Sequence, residues 1–310
     1  MAYFLLRIMF GGSSYSFNNQ REVESLLLRS LLFIPGNKEK ILLKTSTVNA
    51  DAVVWDLEDA VPLAEKALAR QLIRQHLSDL ASPAPLVYVR ANAVTTGLVD
   101  EDLRYVVGPN LTGIMLPKVE TADEVRYVAR SLVTLEKESG MAGGSVKIIA
   151  TLETALGVLR AYDIAAASDR VEALCLGAED FTRDLGTSRS REGSELAYAR
   201  GAIVLAAAAA RVAAIDTVFS DLNDEEGLEK ECHLVRGLGF GGKCAIHPRQ
   251  LDIINRAFSP TEEEVAYARR VVAAFEEARA QNLGVILVDG RMVDKPVVER
   301  AQRILERFGG

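Results

Sequence analysis

The chain has 310 residues, 49% of them apolar and 25% charged, which supports a large buried core and excludes disorder as the main state. The formal charge is −7 and the isoelectric point near 5.3, with lysine and arginine dispersed among acids, so the concentrated basic face that nucleic acid requires is missing. Length alone fits either two domains or one large α/β barrel.

Residues 1–28 read as a loosely ordered extension. The run Tyr3 to Phe10, apolar apart from Arg7, is far shorter than the ~20 residues of a spanning helix, and Gly11 to Gln20 offers no small-residue cleavage pattern. No membrane partner is expected. From Arg29 onward, short apolar runs alternate with segments of helical spacing. The predicted strands are Ser30 to Pro35, Ala52 to Leu57, Leu86 to Arg90, Gly113 to Pro117, Val146 to Leu152, Ala173 to Gly177, Ala214 to Ser220 and Lys243 to His247. Between them the spacing predicts helices over Glu65 to Leu80, Ala122 to Lys137, Ala155 to Ala167, Glu195 to Val212 and Glu225 to Gly237.

Most of these runs are apolar along their whole length, as parallel strands covered on both faces must be, and eight such strands close into a (β/α)₈ barrel. A helix over Thr261 to Gln281, a strand-like run Gly284 to Val288 and a helix from Pro296 follow. The expected organisation is therefore an extension (1–28), a catalytic barrel (29–258) and a C-terminal lid (259–310) covering the barrel mouth or a neighbouring subunit. Three cysteines, Cys175, Cys232 and Cys244, are odd in number, widely separated and without a CxxC pair. Neither a disulfide framework nor a zinc site is expected, and a reducing cytoplasm fits best.

Barrel strands deliver active-site groups at their C-terminal ends. Glu153 and Asp180 close the fifth and sixth runs, where carboxylates ~4.8 Å apart can share a hard cation such as Mg²⁺, with Mn²⁺ an alternative. Equally, both acids suit helix starts. Asp56, Glu58 and Asp59 crowd the end of the second strand, either as an outer shell around the same ion or as capping acids of the next helix. Arg90 and Lys118 end the third and fourth strands, where they can hold substrate carboxylate or enolate oxygens. Pro35, Gly36 and Asn37 form a glycine turn before Lys38 and Lys40, which suits phosphate or a plain tight turn. Asp294, ahead of the last helix, is on its own most economically an N-cap. His247 reads as a hydrogen-bonded structural residue, since no serine or cysteine nucleophile sits in an elbow.

Together LLFIPGN, VVWDLEDAV, VYVRAN, MLPKVE, TLETALG, LGAEDF, YARGAIVLAA, AIDTVFSDL and GFGGKCAIHPRQ resemble the citrate lyase β-subunit-like branch of the HpcH/HpaI aldolase superfamily, especially citramalyl-CoA and malyl-CoA lyases. The resemblance implies Glu153 and Asp180 as magnesium ligands and Arg90 as the group on the substrate oxygens. It implies that Gly177, Ala178 and Glu179 present backbone N–H groups to a keto-acid carboxylate, and that Pro35, Gly36 and Asn37 border a coenzyme A site. It also implies a homo-oligomer, trimer or hexamer, in which Asp294 reaches an adjacent subunit. Citrate lyase β subunits proper act on an acyl carrier protein and have shorter tails, so the tail here suggests a free CoA thioester. The expected reaction is retro-Claisen cleavage of (S)-citramalyl-CoA to pyruvate and acetyl-CoA. Malyl-CoA, β-methylmalyl-CoA and citryl-CoA are competing substrates, thioester hydrolysis a further activity, and a non-catalytic CoA-binding barrel the competing class.

Overall fold

The computed structural model describes residues 27–80, 84–280 and 285–308. The expected N-terminal extension lies outside these residues except for Leu27 and Leu28, as do Gln281 and Gly284 of the tail. Eight parallel strands form a closed barrel in sequential order: β1 (Ser30–Pro35), β2 (Ala52–Asp56), β3 (Leu86–Arg90), β4 (Gly113–Leu116), β5 (Lys147–Leu152), β6 (Val171–Leu176), β7 (Ala213–Asp216) and β8 (Gly242–Ala245), with β1 pairing β8. The helices are α1 (Glu39–Leu42), α2 (Lys66–Asp79), α3 (Val99–Val106), α4 (Ala122–Glu138), α5 (Ala155–Leu159), α6 (Ala161–Ala165), α7 (Ala178–Asp184), α8 (Ala197–Ala210), α9 (Glu225–Leu238) and α10 (Leu251–Ala257). The tail adds α11 (Glu262–Ala280), strands β9 (Ile286–Val288) and β10 (Arg291–Val293), and α12 (Lys295–Phe308).

The period-2 alternation of a strand sorts side chains between two cores. Leu31, Val54, Tyr88, Met115, Ile149 and Ile215 fill the barrel interior, while Leu32, Val53, Val89, Ile148 and Leu174 pack outward against the helices. Both faces are therefore apolar, which is why the runs are nearly continuous in sequence. β1 and β3 have the predicted ends, whereas β7 and β8 stop four and two residues early, where the chain turns into loops that shape the barrel mouth. The single helix expected over Ala155 to Ala167 divides at Arg160, whose backbone leaves helical geometry between α5 and α6.

Charge is also buried in the barrel wall. Lys243 on β8 donates to Asp216 on β7 (2.7 Å) and to Glu231 on α9 (2.6 Å), and Arg200 on α8 bonds the same two acids at 2.9–3.1 Å. Lys243, Arg200 and Asp216 are essentially inaccessible to water. Removing one member of a buried network leaves its partners charged and unpaired, at about 3–5 kcal/mol. Lys243→Met should therefore lower the urea midpoint by that much free energy; a loss below about 1 kcal/mol would show that the acids are neutralised elsewhere.

The tail has its own apolar cluster, built by Ala268 and Val271 of α11, Val288 and Val293 of the hairpin, and Val298 and Ala301 of α12. Asp289 and Gly290 both have positive φ, the geometry of a tight hairpin turn, as the Asp-Gly pair predicts. Arg303 of α12 lines a cavity with Leu28, Ala213 and Gly241, at the N-terminal ends of the strands. That is the end of the barrel away from its mouth. Among the described residues, no helix is long and apolar enough to cross a membrane.

Candidate active site

A cavity of about 220 Å³ opens at the C-terminal ends of the strands, lined by Phe33, Asp59, Arg90, Met115, Thr151, Glu153, Gly177, Ala178, Glu179, Asp180 and Thr217 among others. Glu153 follows β5 directly. Asp180 lies not at a strand end but in the first turn of α7, because β6 stops at Leu176 and the chain enters a helix after Gly177. The glycine is needed there: any Cβ at Gly177 would collide with the Glu153 carboxylate. Both acids thus reach one cavity, and Asp180 is among the charges that Glu153 feels.

Burial, followed by repulsion from Glu58 and Asp180, pushes the Glu153 carboxyl up to about 8, against the opposing pull of Arg90 and Lys118. The backbone N–H of Lys118 donates to Glu153 Oε1 at 2.7 Å, a geometry reached with Lys118 at φ +54. Its ammonium contacts Glu58, lies 3.4 Å from Asp59 and 3.6 Å from Asp180, and is held above the ordinary lysine range mainly by Glu58, which overcomes burial. Asp180 also pairs with the exposed Arg183 at 2.6 Å.

Arg90 stands at the centre. Its Nε and Nη2 donate to the two Asp56 oxygens at 2.7 and 2.6 Å, its Nη1 lies 3.1 Å from Glu58, and its guanidinium stacks 5.0 Å from the Phe33 ring centre. Asp56 also accepts the N–H groups of Glu58 and Ala60. Burial works against its charge, but the Arg90 bonds prevail and keep Asp56 below the ordinary carboxylate range. Both Asp56 oxygens are therefore occupied, and they hold the Arg90 guanidinium in place. Glu58 bridges Arg90 and Lys118, and burial keeps its carboxyl above the usual range.

Five carboxylates (Asp56, Glu58, Asp59, Glu153, Asp180) thus meet Arg90, Lys118 and Arg183, with the buried Lys66 also in reach of Asp56, Glu58 and Asp59, so acids outnumber cations at the mouth. Among the described residues no three His, Cys, Asp or Glu side chains form a closed cage. Two hard oxygen donors with open positions fit magnesium, which keeps waters and accepts substrate oxygens.

Other predicted residues are placed differently. The Gly177 N–H donates to Leu152 O and the Ala178 N–H to Thr217 Oγ1, both at 3.1 Å, so of the three amides implied for a carboxylate these two are already engaged. Pro35, Gly36 and Asn37 do not line the mouth cavity. Gly36 packs where a Cβ would meet Asp56 O and Ile73, and Asn37 donates to Glu65 at 2.5 Å. Asp294 caps α12, accepting from Val297 N at 3.3 Å, outside this chain's own mouth cavity. His247 caps the short turn Pro248–Gln250. Thr151, Phe33, Met115, Cys175 and Cys244 line the cavity without having been singled out for it. The signal was present: Thr151 and Cys175 stand two residues before Glu153 and Gly177, on the same strand face.

Residues 29–248 match the HpcH/HpaI aldolase/citrate lyase family. The chain belongs to that family. It is 43% identical over 289 residues to citrate lyase subunit beta of Leuconostoc mesenteroides subsp. cremoris, covering 93% of this chain and 94% of the relative. It is 38% identical over 280 residues to a (3S)-malyl-CoA thioesterase of Cereibacter sphaeroides, covering 90% and 94% of the two chains. The crystal structure of Mycobacterium tuberculosis CitE with magnesium, acetoacetate and coenzyme A superimposes with a TM-score of 0.73 at 34% identity, over 91% of this chain and 98% of that one. A citrate lyase β subunit is thus matched over nearly its full length, so tail length does not separate this family member from β subunits proper, contrary to the sequence-based expectation.

Proposed function

We propose that the protein is a magnesium-dependent carbon–carbon lyase that cleaves a 3-hydroxy-3-carboxyacyl thioester into an acetyl thioester and a 2-oxo acid. The convergence of Glu153 and Asp180 on one cavity beside Arg90 carries this reading. When bound, the ion draws electron density from the substrate hydroxyl and its neighbouring carboxylate, so that a carbonyl can form as the carbon–carbon bond breaks.

The chain's own groups do the rest. Asp56 and Glu58 hold the Arg90 guanidinium in one orientation before substrate arrives, so it meets charge developing on the reacting oxygens at little reorganisation cost. Lys118, through its N–H, fixes one Glu153 oxygen, while the other lies against Gly177 of the cavity lining. Asp294, from the 259–310 tail of a neighbouring subunit, protonates the enolate carbon of the acetyl fragment before water can reach it. Asp294 lies outside its own chain's mouth, which is compatible with such sharing.

Full-length likeness to citrate lyase β subunits favours a citryl thioester, yielding oxaloacetate. Citramalyl-CoA, yielding pyruvate, is the second reading, because Phe33, Met115 and Val218 in the cavity lining suit a methyl better than a carboxylate. A single methyl separates citramalyl-CoA from malyl-CoA, a difference worth only about 1–3 kcal/mol. Citryl-, citramalyl- and malyl-CoA should therefore be compared with and without Mg²⁺, identifying the oxo acid and free CoA. Metal-dependent oxaloacetate release at the highest kcat/KM is expected. CoA release without an oxo acid would instead identify a thioesterase, and no turnover despite CoA binding a non-catalytic barrel.

A further inference from the structure

The floor of the mouth cavity carries sulfur that the cleavage chemistry does not use. Cys175 on β6 and Cys244 on β8 point into the barrel, each 2% exposed, and their Sγ atoms are 3.6 Å apart. Two thiolates bound to one tetrahedral cation, each about 2.3 Å from it, stand about 3.8 Å apart. The thiols are therefore spaced for a shared ion almost without movement. Beside them is Thr151, the register partner of Cys175 on β5. It is only 5% exposed, and its Oγ1 has no hydrogen-bond partner although it lines the same cavity. A buried hydroxyl left unpaired is costly, and here it is a ready third donor. The Met115 thioether belongs to the same lining.

We propose that Cys175 and Cys244, with Thr151 Oγ1 as a third donor, form a binding site for one thiophilic divalent cation of the zinc–cadmium class, distinct from the carboxylate pair above it. Softness sorts the ions: magnesium prefers oxygen and retains its waters, whereas thiolate sulfur selects zinc-like cations. On binding, each thiol releases its proton to solvent and each sulfur forms one bond to the ion. Two thiolates neutralise the divalent charge, which lets it sit on an apolar floor. The ion would occupy acyl-group space and stop cleavage. That consequence rests on the proposed lyase function; the binding itself does not.

The test is a cadmium chloride titration of the reduced, full-length protein in excess Mg²⁺, read by the ultraviolet thiolate-to-cadmium charge-transfer band. The band should saturate at one Cd²⁺ per chain, disappear in Cys175→Ser and in Cys244→Ser, and persist in Cys232→Ser, whose thiol is buried in α9. X-ray absorption on the cadmium-loaded wild type, which requires no variant to fold, should show two sulfur neighbours. No band, a band surviving loss of Cys244, or oxygen neighbours alone would overturn the site. A saturating two-sulfur site with undiminished cleavage would uphold the ion site and overturn the proposed position of the acyl group.

Discussion

Asp180→Ala is expected to remove magnesium binding and to lower metal-dependent cleavage by about a thousand-fold, the equivalent of the several kcal/mol that a divalent ion supplies to developing charge. The barrel should stay folded. Asp180 sits in the first turn of α7, where it pairs with Arg183, itself exposed, and lies 3.6 Å from Lys118. Asp180 itself is 12% exposed, but pairs open to solvent on the arginine side contribute about 1 kcal/mol. Loss of Asp180 also removes one of the charges that push the Glu153 carboxyl up, so the remaining carboxylate stays ionised at lower cost to the fold. Isothermal titration with Mg²⁺ or Mn²⁺ checks this, with circular dichroism as the control; unchanged affinity would take Asp180 out of the ion's shell.

Asp294→Asn separates two roles that share one side chain. Asparagine is as good an N-cap as aspartate, so α12 should keep its first turn and the tail its apolar cluster. What asparagine cannot do is deliver a carboxylic proton. Turnover should fall by about 10²–10⁴, the range for a lost general acid, with little change in KM. Because Asp294 lies outside its own chain's cavity, mixing Asp294→Asn with Asp180→Ala chains should restore part of the activity: one chain brings an intact mouth and its neighbour an intact lid. Full activity of Asp294→Asn would leave Asp294 as a cap alone. Absence of rescue in a mixture shown to exchange subunits would place the proton donor within the same chain.

Much of the fold was legible because a parallel barrel writes itself as repetition. Eight apolar runs, most of them followed by helical spacing, produced the closed order β1 to β8, and polar residues at their ends marked Arg90 and Glu153. Pairing across strands was not legible. Asp216 and Lys243 interrupt apolar runs, but nothing local says that β7–β8 register places them side by side beneath Arg200 and Glu231. Cys175 and Cys244 are 69 positions apart, and only barrel closure brings their sulfurs together. Asp56 is the clearest lesson at the site. Its position suggested an ion's outer shell, and residue type alone could not show that Arg90 on the neighbouring strand, its register partner, takes both oxygens. Asp180 was recognised as a site residue closing the sixth run, with a helix start as the alternative, because the seven-residue α7 is too short to show a helical period.

Where a divalent ion sits decides whether the mouth of this barrel is a lyase centre. Crystals grown with Mn²⁺ and measured for anomalous scattering should show one strong peak per chain about 2.0–2.3 Å from an oxygen of Glu153 and an oxygen of Asp180, with remaining positions open to water or substrate. A peak held instead by Asp56 and Glu58, or no peak between Glu153 and Asp180 at saturating metal, would contradict it.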